Sequence, residues 1–360
     1  MAIDVDRLIR RSPAVPTPEV PEKPKLRRKR ERIRSLDSWF LLGLLFYLVV
    51  LARRSATVAE VPLRTLVIVL GNLRGGERAW ESLYKNLLEV NNADLALLVG
   101  DTRPVYHNAS IWERAKYVWP VHEYDDWADA VDLVEGGSQK WRRRLLPLVN
   151  EDSVLMGGIH GHRYRGSGAI IFMMRYLLSQ QVEKLGLLEQ YDRFVVTRSD
   201  HYYLCPHDLS ELDPSYIWIP EGEDYGGLTD RHHIISKEHL LQALDILPPV
   251  IRQPENYAQL LGKDTANPER LIATRWQEEG LIPYVRRFPR VMFTCGQVND
   301  RTRWKQMREN PTQREGVHLK YWKEYRASYR TCGYCPGGFL WVTHDGQTIC
   351  ATNPFLFLES

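Results

Sequence analysis

Charged side chains directly follow a short apolar stretch near the middle of the 360-residue chain. Residues 194–197 (FVVT) are aromatic or β-branched, which predicts a buried strand, and Arg198-Ser-Asp200-His201 comes straight after it. In open α/β sheets, ligands bind in the crevice beyond the carboxyl ends of the strands. A carboxylate there can hold a divalent cation, and an arginine can hold phosphate with two hydrogen bonds. We therefore interpret Arg198 and Asp200 as candidate residues of a site for a metal-bound diphosphate. An ordinary ion pair at a strand end is the alternative.

A second set of candidate residues surrounds the predicted core strand at 65–70 (TLVIVL). This strand ends at Gly71 in a glycine-rich turn that contains Arg74; a helical pattern and the next strand, which ends before Asp101, follow. Such β-α-β units open nucleotide-binding folds, in which backbone N–H groups of the first turn face an anion. We therefore expect Gly71 and Arg74 to contact a nucleotide donor and Asp101 to contact its ribose or base. The turn is neither GxGxxG nor a Walker A loop, and a plain polar turn is the alternative for Asp101.

A carboxylate-rich turn at 221–230 lies between two further predicted strands and supplies acid/base groups. Asp230, next to Arg231, is the candidate that we place nearest the reaction, and Arg231 is a candidate contact for an acceptor. Glu269 lies at the start of a predicted helix. It is either a further acceptor contact or an ordinary first-turn carboxylate stabilised by the helix dipole.

The glycine-rich, basic loop at 157–166 contains His160 and His162. Two imidazoles without a nearby carboxylate or cysteine do not make a metal site. We interpret the loop as a mobile segment that contacts an acceptor or phosphate through these two histidines.

Composition indicates a globular body with an unevenly charged N-terminal region. Charged residues are 26% of the chain and hydrophobic residues 44%, and the net charge is only +3. The basic excess is concentrated at 23–34, which argues against nucleic-acid binding by the folded part. Residues 1–35 are predicted to form an extended, proline-rich and basic tail, with a nuclear localisation signal as the alternative for its basic run.

Residues 36–52 are predicted to form a single-pass transmembrane signal anchor. The apolar run at 39–52 would extend roughly 21 Å as a helix, against ~30 Å of hydrocarbon, and flanking residues and thin early-secretory membranes make up the difference. Basic residues at 27–34 outnumber those after the run, so the positive-inside rule predicts a type II protein of the Golgi or ER membrane. The sequon at Asn108 would then lie in the lumen as an N-glycosylation site. A cleaved signal peptide and a buried core helix are the alternatives.

The segments at 197–203 and 220–232, together with the β-α-β start, resemble lumenal GT-A-type glycosyltransferases of the poorly characterised algal, fungal and large-virus kind. The resemblance covers roughly residues 64–300 and implies an α/β fold, a GT-A-like Rossmann-type mixed sheet flanked by helices. It also implies a nucleotide-sugar donor, a glycan or glycoconjugate acceptor, and Mn²⁺ or Mg²⁺ on an Asp-x-Asp motif. Here Asp200 matches the second acidic position alone, and Arg198 is interpreted as replacing part of the cation's charge. The predicted segments, in chain order, are a cytosolic tail 1–35, an anchor 36–52, a stem 53–63, a catalytic domain 64–330 and a cysteine-containing tail 331–360.

Two other functions fit parts of the sequence. One is a lumenal metal-dependent hydrolase, although no pair of its candidate ligands has HExxH spacing. Those ligands are His160, His162, Asp200, His201, His232 and His233. The other is a non-catalytic, sugar-binding relative of the fold, which the incomplete Asp-x-Asp motif favours.

The chain has five cysteines, so one at least is unpaired within a monomer. In an oxidising lumen we expect one disulfide within the C-terminal tail, joining Cys350 to Cys332 or Cys335. Cys205 and Cys295 are the candidates for a second pair.

Overall fold

The computed structural model describes residues 63–100, 107–160, 164–297, 313–333, 341–344 and 347–350. Within these ranges no helix has the length and apolar character needed to cross a membrane. The predicted tail and anchor (1–52), Asp101, His162 and Cys335 lie outside the described residues.

A seven-stranded mixed sheet forms the centre of the molecule, in the order β3-β2-β1-β4-β7-β6-β8. All neighbouring strands are parallel except β7, which runs antiparallel to both β4 and β6. Its strands are β1 (Thr65–Leu70), β2 (Asp94–Gly100), β3 (Tyr117–Val121), β4 (Arg193–Thr197), β6 (Ile217–Pro220), β7 (His233–Ser236) and β8 (Val285–Phe288). The predicted α/β fold with a mixed, mostly parallel sheet is confirmed.

A second, four-stranded sheet has the order β10-β11-β9-β5. Its strands are β5 (His201–Tyr203), β9 (Met292–Gly296), β10 (Gln313–Arg314) and β11 (Val317–Leu319). Strand β5 begins just after Asp200, so this sheet joins the chain beyond residue 290 to the end of β4. The remaining strands, β12 (Trp341–His344) and β13 (Gln347–Cys350), pair with each other.

Helices cover both faces of the large sheet. They are α1 (Gly76–Leu83), continued by a π-helical turn (Tyr84–Leu88), α2 (Ser110–Arg114), α3 (Ala128–Asp132), α4 (Lys140–Leu145), α5 (Gly168–Lys184), α6 (Leu187–Gln190), α7 (Leu240–Leu244), α8 (Leu247–Arg252), α9 (Ala258–Leu261), α10 (Pro268–Glu278) and α11 (Trp322–Thr331). Short 3₁₀ turns lie at Leu133–Glu135, Leu146–Leu148, Pro254–Tyr257 and Ile282–Tyr284.

The core lies in two layers, one on each face of the sheet, and β1 contributes to both. Leu66 and Ile68 pack in the layer that contains α5, whereas Val67 and Val69 pack in the layer that contains α1. All four side chains are fully buried, which explains why β1 is apolar throughout rather than alternating. The predicted β-α-β unit is confirmed, with α1 between the parallel strands β1 and β2.

Two of the predicted disulfide pairings, Cys350 with Cys332 and Cys205 with Cys295, are wrong. The third, Cys350 with Cys335, falls outside the described residues. Cys205, just after β5, is joined to Cys332, at the end of α11, across 127 residues of sequence. This bond excludes the predicted pairing of Cys205 with Cys295, and Cys332 is not available to Cys350. The spacing of cysteines along a sequence does not determine pairing, which here follows from α11 packing beside the small sheet.

We expect the double substitution Cys205→Ser, Cys332→Ser to lower the free energy of unfolding by about 2–5 kcal/mol, because the bond restricts a long loop in the unfolded chain. Denaturant titrations of the oxidised wild-type protein and the double variant would measure the difference. Reduced wild-type protein should match the variant. Equal stability of the oxidised wild-type protein and the variant would contradict the expectation.

Candidate functional site

A cleft opens at the carboxyl ends of β1 and β4, where the sequence places its first candidate residues. Its first compartment is partly open to solvent. The lining includes six residues that the sequence singled out, namely Gly71, Arg74, Arg198, Asp200, Asp230 and Arg231. The structure thus brings together candidates from three separate segments, and their roles stay predictions.

Ser199 joins the turn after β1 to the turn after β4. Its hydroxyl accepts a hydrogen bond from the Arg74 backbone N–H at 2.9 Å and donates to the Asn72 carbonyl at 3.1 Å. The two turns approach so closely that a Cβ added to Gly75 would lie 3.1 Å from the Ser199 carbonyl oxygen, and Gly75 also has a φ of +83°. A glycine is therefore required at this position.

Arg198 and Asp200 form a two-point ion pair. Arg198 donates from Nε to Oδ1 of Asp200 at 2.8 Å and from Nη2 to Oδ2 at 2.6 Å. Burial alone would raise the pKa of the Asp200 carboxyl, but the charge and hydrogen bonds of Arg198 hold that pKa far below its usual range. Asp200 is therefore a carboxylate whose two oxygens are already bound.

This arrangement does not fit the predicted Mn²⁺ or Mg²⁺ site. Such ions take about six oxygen ligands, usually with one or more carboxylates directed at the metal. Both oxygens of Asp200 instead face Arg198. Within the described ranges, no group of three or more His, Cys, Asp or Glu side chains is placed to hold a metal ion.

The lining of the first compartment is positively charged. Five basic side chains face three acidic ones, a net charge of +2 if all are ionised. The basic residues are Arg74, Arg175, Arg198, Arg231 and Lys320, and the acidic residues are Glu123, Asp200 and Asp230. The compartment therefore suits an anionic ligand.

Lys320 is a member of this lining that the sequence did not indicate. It follows β11, and its backbone N–H donates to the Thr294 carbonyl at 3.1 Å. Burial and the neighbouring charge of Arg198 lower the pKa of the Lys320 ammonium to about 7. No local pattern marks this lysine, because the pairing of β11 with β9 is what brings it to the cleft.

A second compartment adjoins the first. Tyr225, Glu269 and Tyr321 line the second compartment and not the first. Six residues line both compartments, namely Ser167, Ile171, Arg198, Asp230, Arg231 and Lys320. Asp230 therefore lies where the two compartments meet, between the positively charged lining of the first and the partly aromatic lining of the second.

Asp230 is held among arginines. Its side chain is 7% exposed, and its Oδ1 lies 3.8 Å from Nε of Arg231. Nη2 of Arg175 donates to the Asp230 backbone carbonyl at 2.6 Å. Burial alone would raise the pKa of Asp230, but the charges of Arg231, Arg198 and Arg175 hold it below the usual value. Asp230 is therefore ionised at neutral pH and can accept a proton.

Glu269 is the second carboxylate of this region and behaves differently. It is 8% exposed and lies at the start of α10. Its carbonyl accepts from the Leu228 N–H at 3.0 Å, which holds the turn before Asp230 against α10. Burial and the negative charge of Asp230 raise the pKa of Glu269 to about 7. Glu269 therefore gains or loses a proton near neutral pH, whereas the neighbouring Asp230 stays ionised.

Arg231 is fixed by contacts on several sides. Nη1 donates to Oε1 of Glu324 at 2.7 Å, and Nη2 donates to the Tyr321 hydroxyl at 3.2 Å. Its guanidinium also lies 4.6 Å from the centre of the Tyr321 ring and 5.6 Å from that of Tyr225. Glu324 in turn accepts from the Thr294 N–H at 2.6 Å. Glu324 lies in α11 and orients Arg231, and the sequence did not indicate it as a site residue.

Other predicted site residues lie elsewhere. His160 is exposed, its N–H donates to Oδ1 of Asp126 at 2.8 Å, and it lines neither compartment. Its predicted contact with an acceptor therefore has no support from its position. Asn108 is exposed, as a glycosylated asparagine must be, and its modification stays a prediction.

The histidines proposed for a hydrolase do not share one site. His201 and His232 are buried, and each hydrogen-bonds through Nδ1 to the hydroxyl of Thr197, at 3.2 and 2.9 Å. His233 is also buried and donates from Nε2 to the Thr229 carbonyl at 2.6 Å. His160 lies apart from them, and the part of the chain that the structure describes contains no histidine-based metal site.

No protein-family model matches the chain, and no curated protein compared with it is similar in sequence. Among solved structures, the apo form of mouse xyloside xylosyltransferase 1 is similar at 11% identity and a TM-score of 0.34. The match covers 62% of this chain and 84% of that chain. A likeness this distant does not decide the function, which has to be inferred from the cleft.

Proposed function

We propose that this chain is a glycosyltransferase that moves a sugar from a nucleotide-diphosphate donor to a hydroxyl of a glycan or glycoconjugate acceptor. The observation that carries the proposal is the position of Asp230, an ionised carboxylate at the boundary between a positively charged compartment and a partly aromatic one. The type II anchor at 36–52 and a Golgi or ER location belong to the proposal on the sequence argument alone.

The donor diphosphate would occupy the first compartment. Arg74, Arg198 and Lys320 line it, and the turn at Gly71 lies at the end of β1, where a nucleotide binds in related sheet architectures. Negative charge grows on the diphosphate as it leaves the sugar. Basic groups fixed beside it stabilise that charge in the transition state.

The acceptor would occupy the second compartment. Tyr225, which is 48% exposed, and Tyr321 present aromatic surface next to Arg231, and sugar rings pack well against such surfaces. The acceptor oxygen attacks the anomeric carbon, the bond from that carbon to the diphosphate oxygen breaks, and its electron pair stays with the diphosphate. If the enzyme inverts, Asp230 takes the hydroxyl proton. If it retains, Asp230 positions the hydroxyl and the leaving diphosphate oxygen takes the proton.

The test is to incubate the full chain with a panel of nucleotide sugars and to follow release of the free nucleoside diphosphate. Transferases of this kind can hydrolyse their donor slowly, so an acceptor is not needed for the first experiment. We expect release from one donor class and none from heat-denatured protein. Binding of a donor without release would support the non-catalytic, sugar-binding alternative, and neither binding nor release would refute the proposal.

A further inference from the structure

We propose that the first compartment holds the donor diphosphate without a divalent cation. Arg198 and Lys320 supply the positive charge, and Asp200 is a positioning residue that orients Arg198 rather than a metal ligand. This inference rests on the proposed function, because it assigns the group that replaces the metal at the same site.

The first support is the state of Asp200. Both of its oxygens are hydrogen-bonded to Arg198, and its backbone carbonyl accepts from the Cys295 N–H at 2.8 Å. The Asp200 side chain is only 5% exposed. Turning the carboxylate toward a metal ion would leave the Arg198 guanidinium without its partner in a largely buried position, which is unfavourable.

The second support is the part of Arg198 that the ion pair does not use. Nε and Nη2 are bound to Asp200, and this leaves Nη1 for a ligand in the two compartments that Arg198 lines. A guanidinium that is fixed by a carboxylate on one edge can present its other edge to a phosphate oxygen. The pair therefore orients a cationic donor toward the cleft.

The third support is Lys320, which places a second cation at the boundary. Arg74, Arg198, Arg231 and Asp200 line the same compartment as Lys320. In the ligand-free protein, burial and the positive charges of these arginines lower the pKa of Lys320 to about 7. A bound diphosphate offsets the repulsion among the cations, so it stabilises the charged form of Lys320. Such mutual repulsion among cations in the ligand-free protein is expected of a site that binds an anion.

The experiment measures the binding of inorganic pyrophosphate to the full chain by calorimetry, once in EDTA and once in Mn²⁺. We expect binding in EDTA that Mn²⁺ does not tighten. Because Mn²⁺ itself complexes pyrophosphate, the apparent affinity in Mn²⁺ should be equal or weaker. Lys320→Met should weaken binding in EDTA by at least about tenfold, whereas Lys320→Arg, which keeps the charge, should bind nearly as well as wild type. Thermal unfolding of each variant separates loss of the site from loss of the fold.

Asp200 variants distinguish a positioning residue from a metal ligand. Asp200→Asn keeps an oxygen that can accept from Arg198, so it should retain most of the EDTA binding, whereas Asp200→Leu should lose it. The double variant Arg198→Gln, Asp200→Asn removes both charges together and should bind at least about tenfold more weakly while staying folded. The inference would be overturned if pyrophosphate bound in Mn²⁺ but not in EDTA, and if Asp200→Asn abolished that binding. It would also be overturned if pyrophosphate bound in neither condition.

The outcomes also separate this inference from the proposed function. Metal-independent pyrophosphate binding without release from any nucleotide sugar would refute the transferase and leave the anion site standing. Release from a nucleotide sugar only when Mn²⁺ is present would support the transferase and refute the metal-free site.

Discussion

Replacing Asp230 with asparagine should lower kcat for sugar transfer by about 10²–10⁴-fold, the usual contribution of a general base. Asparagine has nearly the same shape but cannot accept the proton of the acceptor hydroxyl. Because the charges that bind the diphosphate lie on other residues, the KM for the donor should change little. The measurement is steady-state transfer with the donor and acceptor that the panel identifies.

The fold should tolerate this substitution. Arg231 keeps its 2.7 Å hydrogen bond to Glu324, and Arg175 keeps its hydrogen bond to the backbone carbonyl at position 230. A matched control is Glu221→Gln in the same turn, because Glu221 is exposed and lines neither compartment. Glu221→Gln should leave kcat unchanged. If Asp230→Asn retains kcat within about tenfold of wild type, Asp230 is not the base, and a retaining reaction in which it only positions the acceptor becomes the better explanation.

Local sequence was sufficient to predict the half of the cleft that lies at the ends of β1 and β4. Both strands are short runs of buried apolar residues, and side chains that follow the carboxyl ends of neighbouring parallel strands must meet. The sequence suggested separately that Arg74 and that Arg198 with Asp200 contact the donor, and the parallel pairing of β1 with β4 brings the three residues into one compartment. Asp230 was found from the density of carboxylates in its turn rather than from the sheet.

The other half of the cleft depends on contacts between distant parts of the chain. Lys320 and Glu324 reach it because β11 pairs with β9 and β9 with β5, and no local pattern encodes those pairings. The same contacts bring Cys332 to Cys205, which is why the predicted pairings of Cys332 with Cys350 and of Cys205 with Cys295 were wrong. His160 lines neither compartment, and its backbone N–H donates to Asp126, so its acceptor contact stays a prediction without support from its position.

Lowering the pH from 7 to 5 should reduce the free energy of unfolding steeply, because four histidines are buried without charge. Burial lowers the pKa of His201 and His207 to about 4 and that of His233 to about 3, and it lowers the pKa of His232 well below its usual value. In the unfolded chain a histidine has a pKa of about 6.5. Below that pH the unfolded chain binds protons that the folded chain does not, so the contribution of these histidines to stability is full above pH 6.5 and falls as the pH falls.

Each such histidine removes about 1.4 kcal/mol of stability per pH unit once the pH is well below 6.5. Glu269 acts in the opposite direction, because its folded pKa of about 7 lies above its unfolded value, so the folded state binds its proton first as the pH falls. Between pH 6 and 5 the unfolded chain therefore binds about three more protons than the folded chain. The free energy of unfolding should fall by roughly 4 kcal/mol per pH unit in this range. The folded-state pKa values of Asp200 and Asp230 are lowered, so these two residues reduce the free energy of unfolding only below their unfolded pKa of about 4. Urea titrations at pH 7.5, 6.0 and 5.0 would measure the slope.

His207→Leu provides the matched variant. The ring of His207 packs 4.6 Å from that of Phe288, and within the described ranges its buried Nε2 has no hydrogen-bond partner. Leucine has a similar volume and removes that unsatisfied nitrogen, so stability at pH 7.5 should stay the same or rise. Between pH 6 and 5, the free energy of unfolding of the variant should fall less steeply than that of wild type. The difference should be about 1.4 kcal/mol per pH unit, which corresponds to one proton fewer. Two results would contradict this expectation: the same acid slope in His207→Leu as in wild type, or a wild-type protein that is equally stable at pH 5.0 and 7.5. Either would show that the four histidines accept protons without unfolding of the chain and that water reaches them.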